Sequence, residues 1–407
     1  MATFFLIIIY LAFISLGLPD SLLGVAWPVM HFDINAPMEA AGYVSMTITA
    51  GTIVSSLASG YVIKKLGTGK ITFISCAMTA GALLGFSLSH QIIFLILFSI
   101  PLGIGAGSVD SALNNYVALH YEARHMSWLH CFWGVGATLG PVIMSWFISG
   151  HNTWRGGYMS ISVIQFVLAF LIFVTLPMWK RNEKSAVHNE NSALAEAETA
   201  SPLLDESQQN SALKIKGVKL ALITFLFYCG AEATMGLWGS SYLVNIRGIP
   251  AATAAQWVSL YYGGITAGRF VTGFFTIKIS NKLLIRIGQV TALTGAALIL
   301  MPFSPYFSLA GFILVGLGCA PIYPCMIHET PVRFGKEHSQ KIIGYQMAVA
   351  YTGIALLPPL LGFIQARFTL VIMPFFIVAY ILSMFISSEK INALMKARNS
   401  APGGYNR

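Results

Sequence analysis

Charge is what this sequence has least of. Only 10% of its 407 residues are charged, against about 25% in a soluble domain. Hydrophobic residues make up 56%, a balance that excludes the soluble globular class and points to an integral membrane protein. Cysteine is also scarce: Cys76, Cys131, Cys229, Cys319 and Cys325 all fall in apolar segments without metal spacing, so they read as small packing residues, not disulfide or zinc ligands. A nucleophile with its base, a phosphate loop and a metal cluster are missing at recognisable spacing, which argues against an enzyme and against a cofactor. The first apolar run has no basic leader and no small-residue cleavage site, and it continues through Gly24 and Trp27; it reads as a helix and not as a signal peptide.

What the sequence does have is apolar runs long enough to cross about 30 Å of hydrocarbon. They predict an all-α fold of twelve spans, near residues 3–30, 40–63, 71–89, 91–119, 126–149, 157–179, 218–245, 256–277, 283–303, 308–330, 342–365 and 369–388. Cytoplasmic loops carry the Lys and Arg excess. With the N-terminus inside, twenty of the 24 basic residues are cytoplasmic, Arg155, Arg247 and Arg367 are outside, and Arg269 is in the membrane. Both termini are then cytoplasmic, and the net charge of +9 follows from topology, with no call for a nucleic-acid partner. The short loops fit a bacterial inner (plasma) membrane protein acting as a monomer.

From Lys180 to Gly217 the chain turns polar, rich in Ser, Ala, Asn and Glu, which reads as a flexible cytoplasmic linker. It separates an N-terminal six-helix bundle (1–180) from a C-terminal one (218–390), with residues 181–217 between them and a cytoplasmic tail at 391–407. An internal repeat supports the division. A shift of 213 residues lays Gly51 on Gly264, Gly60 on Gly273, Lys65 on Lys278, Gly103 on Gly316 and Gly105 on Gly318; with a one-residue gap it sets Asp20 opposite Glu232. Tandem six-helix halves of this kind describe a secondary transporter of the major facilitator architecture.

The loop after the second span, Gly60-Tyr-Val-Ile-Lys64-Lys65-Leu-Gly67-Thr-Gly-Lys70, resembles the Gly-x-x-x-Asp-Arg-x-Gly-Arg signature of that superfamily, with Lys64 where the Asp is expected. Its glycines would allow close helix packing and its lysines would meet lipid phosphates. A more specific likeness lies in Asp110-Ser-Ala112-Leu-Asn114-Asn115 and in Leu129-His130-Cys131-Phe132-Trp133-Gly134, with Gly230-Ala-Glu232, Trp238, Gly268-Arg269-Phe270 and Gly316-Leu-Gly318-Cys-Ala-Pro321-Ile-Tyr-Pro324. Together these resemble the fucose-galactose-glucose:proton symporter branch. The resemblance implies Asp110 as proton carrier and Asp20 as the link between protonation and substrate binding. His130 departs from the amide side chain of that branch, which leaves the sugar open. The run Gly136-Ala-Thr-Leu-Gly140-Pro141 resembles an antiporter motif but lacks its following glycine pair.

The residues make their own case. Asp20, Asp110, Glu232 and Arg269 lie deep in apolar runs, where an ionisable group is costly unless it faces a partner or a water-filled cavity. Three acids against one Arg leave a carboxyl able to take up a proton, with H+ as coupling ion and Na+ as the alternative. Asp20, after Pro19, also fits a helix-break cap, and Glu232 fits a substrate contact, a sodium ligand or an ion pair with Arg269. A sugar site needs planar polar groups and aromatic faces, which Asn114, His130, Trp133, Gln165, Trp238, Gln346 and Tyr351 supply. His328 and Glu329 fit a gate or a solvated helix end. The expectation is a proton-coupled symporter of a monosaccharide or related polyol, against an efflux antiporter or a carrier of another small polar metabolite.

Overall fold

The apolar runs become helices. The protein is described by a computed structural model over residues 2–121, 123–151, 153–197, 212–276 and 278–400, and every regular element among these residues is helical. In chain order the helices are α1 (Ala2–Asp20), α2 (Leu22–Asp33), α3 (Ala40–Leu66), α4 (Thr68–Leu88), α5 (Ile92–His120), α6 (Ala123–His151) and α7 (Trp154–Ala197), then α8 (Val218–Asn245), α9 (Ala251–Phe275), α10 (Asn281–Leu300), α11 (Pro305–Cys319), α12 (Ile322–Phe334), α13 (Lys336–Gln365) and α14 (Met373–Ser400). Eleven stretches of the described residues are long and apolar enough to cross a membrane. Helix α9, which carries Gln256, Ser259 and Arg269, is not one of them.

Two expected spans are each broken in two. The first divides at Ser21, between α1 and α2, because Pro19 has no N–H to donate and its ring crowds the carbonyl four residues back. The tenth divides at Ala320 and Pro321 for the same reason. The linker reading also needs correction: α7 runs past the apolar stretch to Ala197, since Lys, Glu and Ala are good helix formers once a helix is already nucleated. Residues 198–211 of that segment, and 401–407 of the tail, lie outside the described residues.

The chain forms two compact units, Met1–Leu204 with Pro250–Ser259, and Asp205–Ile249 with Leu260–Arg407. In the first, α3 packs on α5, α5 on α4, α4 on α7 and α1 on α6; in the second, α10 packs on α11 and α14, and α8 on α13 and α14. Tyr10, Phe13, Leu113, Tyr116, Leu129 and Trp179 are among the apolar core of the first. Gly67 and Gly335, at φ 79° and 92°, each join two helices through a single residue, a backbone conformation that glycine adopts without steric cost.

The 213-residue repeat is written into the helix seams. A Cβ on Gly51 would meet the backbone of Gly103 and Ile104 at 3.1–3.2 Å, and one on Gly264 would meet Ile313 O, Leu317 N and Gly316 C at 3.0–3.4 Å. On the facing helix, a Cβ on Gly103 would strike Ile48 O and one on Gly316 would strike Tyr261 O, and 48 and 261 are again 213 apart. Small residues let backbones approach this closely in an apolar solvent, where packing and interhelical hydrogen bonds hold helices together. Thr52 Oγ1 accordingly donates to Gly103 O at 3.2 Å. Gly60 and Gly273 do not serve close packing, since neither has a neighbouring heavy atom within 4 Å of an added Cβ. Gly103→Ala and Gly316→Ala should therefore each destabilise the protein by about 1–3 kcal/mol and lower its melting temperature in detergent, while Gly60→Ala should leave that temperature unchanged.

Candidate functional site

In the first unit the end of α1, the middle of α5 and the middle of α6 supply the polar groups. Asp20 is exposed, and its Oδ2 accepts a 2.7 Å hydrogen bond from Trp133 Nε1. This bond goes to a neighbouring helix and not to the α2 N-terminus, where Ser21 makes no side-chain cap. Asp110 and Asn114 stand one turn apart on α5, and Asn114 Nδ2 donates to Asp110 O at 3.0 Å and to its Oδ1 at 2.9 Å. α1 packs on α6 and meets α5, so the Asp20–Trp133 pair and the Asp110–Asn114 pair belong to one group of packed helices. His130 packs edge-on against Phe13 with centroids 6.0 Å apart.

In the second unit Glu232 of α8 and Arg269 of α9 form an ion pair at 3.7 Å, with side chains 18% and 15% exposed. Tyr228, one turn before Glu232, donates to its Oε2 and accepts from Arg269 Nη2 at 3.4 Å. Tyr261 Oη donates to the backbone O of Glu232 at 3.2 Å. The sequence reading missed both tyrosines, although the i, i+4 spacing of Tyr228 and Glu232 places them on one helix face and was available to it.

Three of the expected sugar contacts are buried and hydrogen-bonded within their own units. Trp238 is 0% exposed, its Nε1 donates to Pro358 O at 2.8 Å, and an added Cβ on Gly362 would lie 2.7 Å from its ring. Gln165 is buried, donates to Ser15 O at 2.8 Å and accepts from Thr79 Oγ1 at 2.5 Å. Gln346 is buried and accepts from Thr330 Oγ1 at 3.1 Å. Depth and residue type cannot tell a seam-facing amide from a cavity-facing one, which is why the sequence reading grouped them. Tyr351 is half-buried on α13.

His328 and Glu329 belong to a polar cluster at one end of the second unit. His328 Nδ1 lies 3.1 Å from Asn281 Nδ2, and Glu329 pairs with Arg333 at 3.0 Å. Arg333 also reaches Asn392 at 3.4 Å, which donates to Glu389 at 3.1 Å. Glu389 is held by Arg286 through two bonds, at 2.9 and 2.5 Å. These contacts tie α10, α12 and α14 together and argue against a merely solvated helix end. The first unit has its own clamp, in which Asp33 of α2 accepts from Trp154 at 3.0 Å and from Arg155 at 2.5 Å.

Comparison with known proteins agrees with this architecture. The model of the Major Facilitator Superfamily matches residues 9–216 and 220–396. The glucose/mannose transporter GlcP of Bacillus subtilis is 23% identical over 361 residues, covering 87% of this chain and 86% of that protein. The sodium-dependent glucose transporter 1 of Homo sapiens is 21% identical over 396 residues, covering 88% and 73%. The crystal structure of the nucleoside transporter NupG superposes with a TM-score of 0.73 at 14% identity, covering 95% of this chain and 98% of that one.

If Trp238 anchors the α8–α13 seam, Trp238→Ala should cost about 3–5 kcal/mol of stability and appear as loss of monodisperse protein on gel filtration. Trp133→Phe, which keeps an aromatic face but removes the donor to Asp20 and one ring of the indole, should elute normally.

Proposed function

Because the chain belongs to the major facilitator superfamily, and is accordingly a multi-pass membrane transporter and not an enzyme, we propose that it carries a monosaccharide or similar small polyhydroxylated solute by proton-coupled symport. Alternating access would present the site to each side in turn, and both termini would be cytoplasmic. The observation that carries this reading is the cluster of Asp20, Trp133, Asp110 and Asn114. Two carboxyl groups on packed helices of one unit, at a depth where an isolated charge is costly, supply the site with a group that can take up and release a proton. Each is also held by a neutral donor, an indole for Asp20 and an amide for Asp110, and such donors hydrogen-bond sugar hydroxyls as readily. A solute entering this cluster competes for the groups that hold the acids, which links substrate occupancy to protonation.

The geometry supports a division of roles. Asp110, half-buried on α5 with its amide partner on the same helix, is the proton carrier. Asp20, exposed and bridged to Trp133 from another helix, is the group that substrate reaches; the ring of Trp133 offers the flat face a pyranose stacks on. Glucose is named in both curated relatives described above, which supports a sugar. The sodium dependence in the name of one of them keeps Na+ as the competing coupling ion.

The test is the pH of the medium around proteoliposomes when glucose, galactose or fucose is added without sodium. Alkalinisation on adding one sugar supports proton symport. Uptake that appears only with sodium replaces the proton with Na+, and acidification indicates antiport. Asp110→Asn should abolish accumulation driven by a pH gradient while leaving counterflow exchange measurable. Unchanged accumulation in that variant removes Asp110 from the coupling mechanism.

A further inference from the structure

Of the four ion pairs among the described residues, the one in the apolar interior is the loosest. Arg155 and Asp33 close to 2.5 Å, Arg286 and Glu389 to 2.5 Å, and Arg333 and Glu329 to 3.0 Å, whereas Arg269 and Glu232 stop at 3.7 Å. Attraction between opposite charges grows as the dielectric falls, so the pair between α8 and α9 ought to close at least as tightly as those at the helix ends. Tyr228 bridges the two. A phenol has one proton to give; here it goes to Glu232 Oε2, and the phenol oxygen accepts from Arg269 Nη2. The hydroxyl thus occupies one carboxylate oxygen and one guanidinium nitrogen that a direct two-bond pair would use. It is well anchored. The Tyr228 ring packs against Tyr323 with centroids 6.0 Å apart, and Tyr323 against Phe225 at 5.2 Å, while Tyr261 fixes the backbone of Glu232 from α9.

We infer that Tyr228 is a positioning residue whose hydroxyl keeps the Glu232–Arg269 pair short of a closed salt bridge, so that the pair opens and re-forms during transport. This rests on the transporter reading. A buried bidentate Arg–carboxylate pair is strong and costly to break, and a carrier that had to break one in each cycle would be slowed by it. With the phenol in place, the contact between Arg269 and Glu232 is released by small shifts of α8 against α9. Removing only the hydroxyl should let the pair close and lock.

Two thiols report on that lock without any sugar. Cys229 follows Tyr228 in α8, Cys319 lies on α11 one turn past Gly316, whose added Cβ would strike Tyr261 of α9, and both thiols are buried. The experiment is N-ethylmaleimide labelling of the purified full-length protein in detergent, with each cysteine followed by mass spectrometry and Cys76 of the first unit as the folding reference. Tyr228→Phe should slow labelling at Cys229 and Cys319 several-fold and leave Cys76 unchanged. Adding Glu232→Gln to Tyr228→Phe removes the charge that closes the pair, and labelling should return to the rate of Glu232→Gln alone. Equal or faster labelling in Tyr228→Phe overturns the inference, and so does a double variant that stays slow. Failure of the sugar assay with success here would discard the proposed substrate and keep Tyr228 in its role.

Discussion

An ionised group inside an apolar solvent must find a partner or water, and this requirement organises the polar interior of the protein. Asp20 takes an indole, Asp110 takes an amide one turn away, and Glu232 takes a phenol, a guanidinium and, through its backbone, a second phenol. Asp20 and Asp110 use groups from a packed neighbouring helix or from the acid's own helix, while Glu232 reaches from α8 to α9 through its side chain and Tyr261. The neutral partners are the instructive ones. An acid satisfied only by a cation would be pinned, while one held by an indole or an amide can be discharged and recharged at lower cost.

The seams make such partnerships possible. Where glycine faces backbone, at Gly103 on Ile48 and Gly316 on Tyr261, helices approach closely enough for side chains of ordinary reach to span the gap. That the same registers recur 213 residues apart shows that both halves solve one packing problem in one way, even though their polar equipment differs. The first unit carries two acids near an indole and an amide; the second carries an acid, an arginine and a group of tyrosines.

Much of this was legible in the sequence. Apolar run length gave the helices, and the glycine repeat marked the seams that recur 213 residues apart. The Glu232–Arg269 pair stood among the stated alternatives because few charges exist at that depth to pair. Less legible were the side chains whose role depends on which way a helix face turns. Trp238, Gln165 and Gln346 have the composition of a sugar site and the positions of seam anchors, because an amide or an indole satisfies a buried backbone carbonyl as well as it satisfies a hydroxyl. Tyr228 was missed for the opposite reason: a tyrosine in an apolar helix draws no notice until the acid beside it is seen to need a donor. The breaks at Ser21 and Pro321 were signalled by proline but hidden by continuous hydropathy.

The glycines without neighbours carry a mechanical meaning. Gly51 and Gly264 are wedged against backbone, but Gly60 and Gly273, further along the same helices α3 and α9, have open space around them. Among the described residues each helix is therefore clamped along its middle and has no neighbour at the glycine toward its C-terminal end, like a beam built in at one side. Bending strain in such a beam gathers just beyond the clamp, and a residue without a side chain at that place lets the helix flex there while the seam behind it keeps its register.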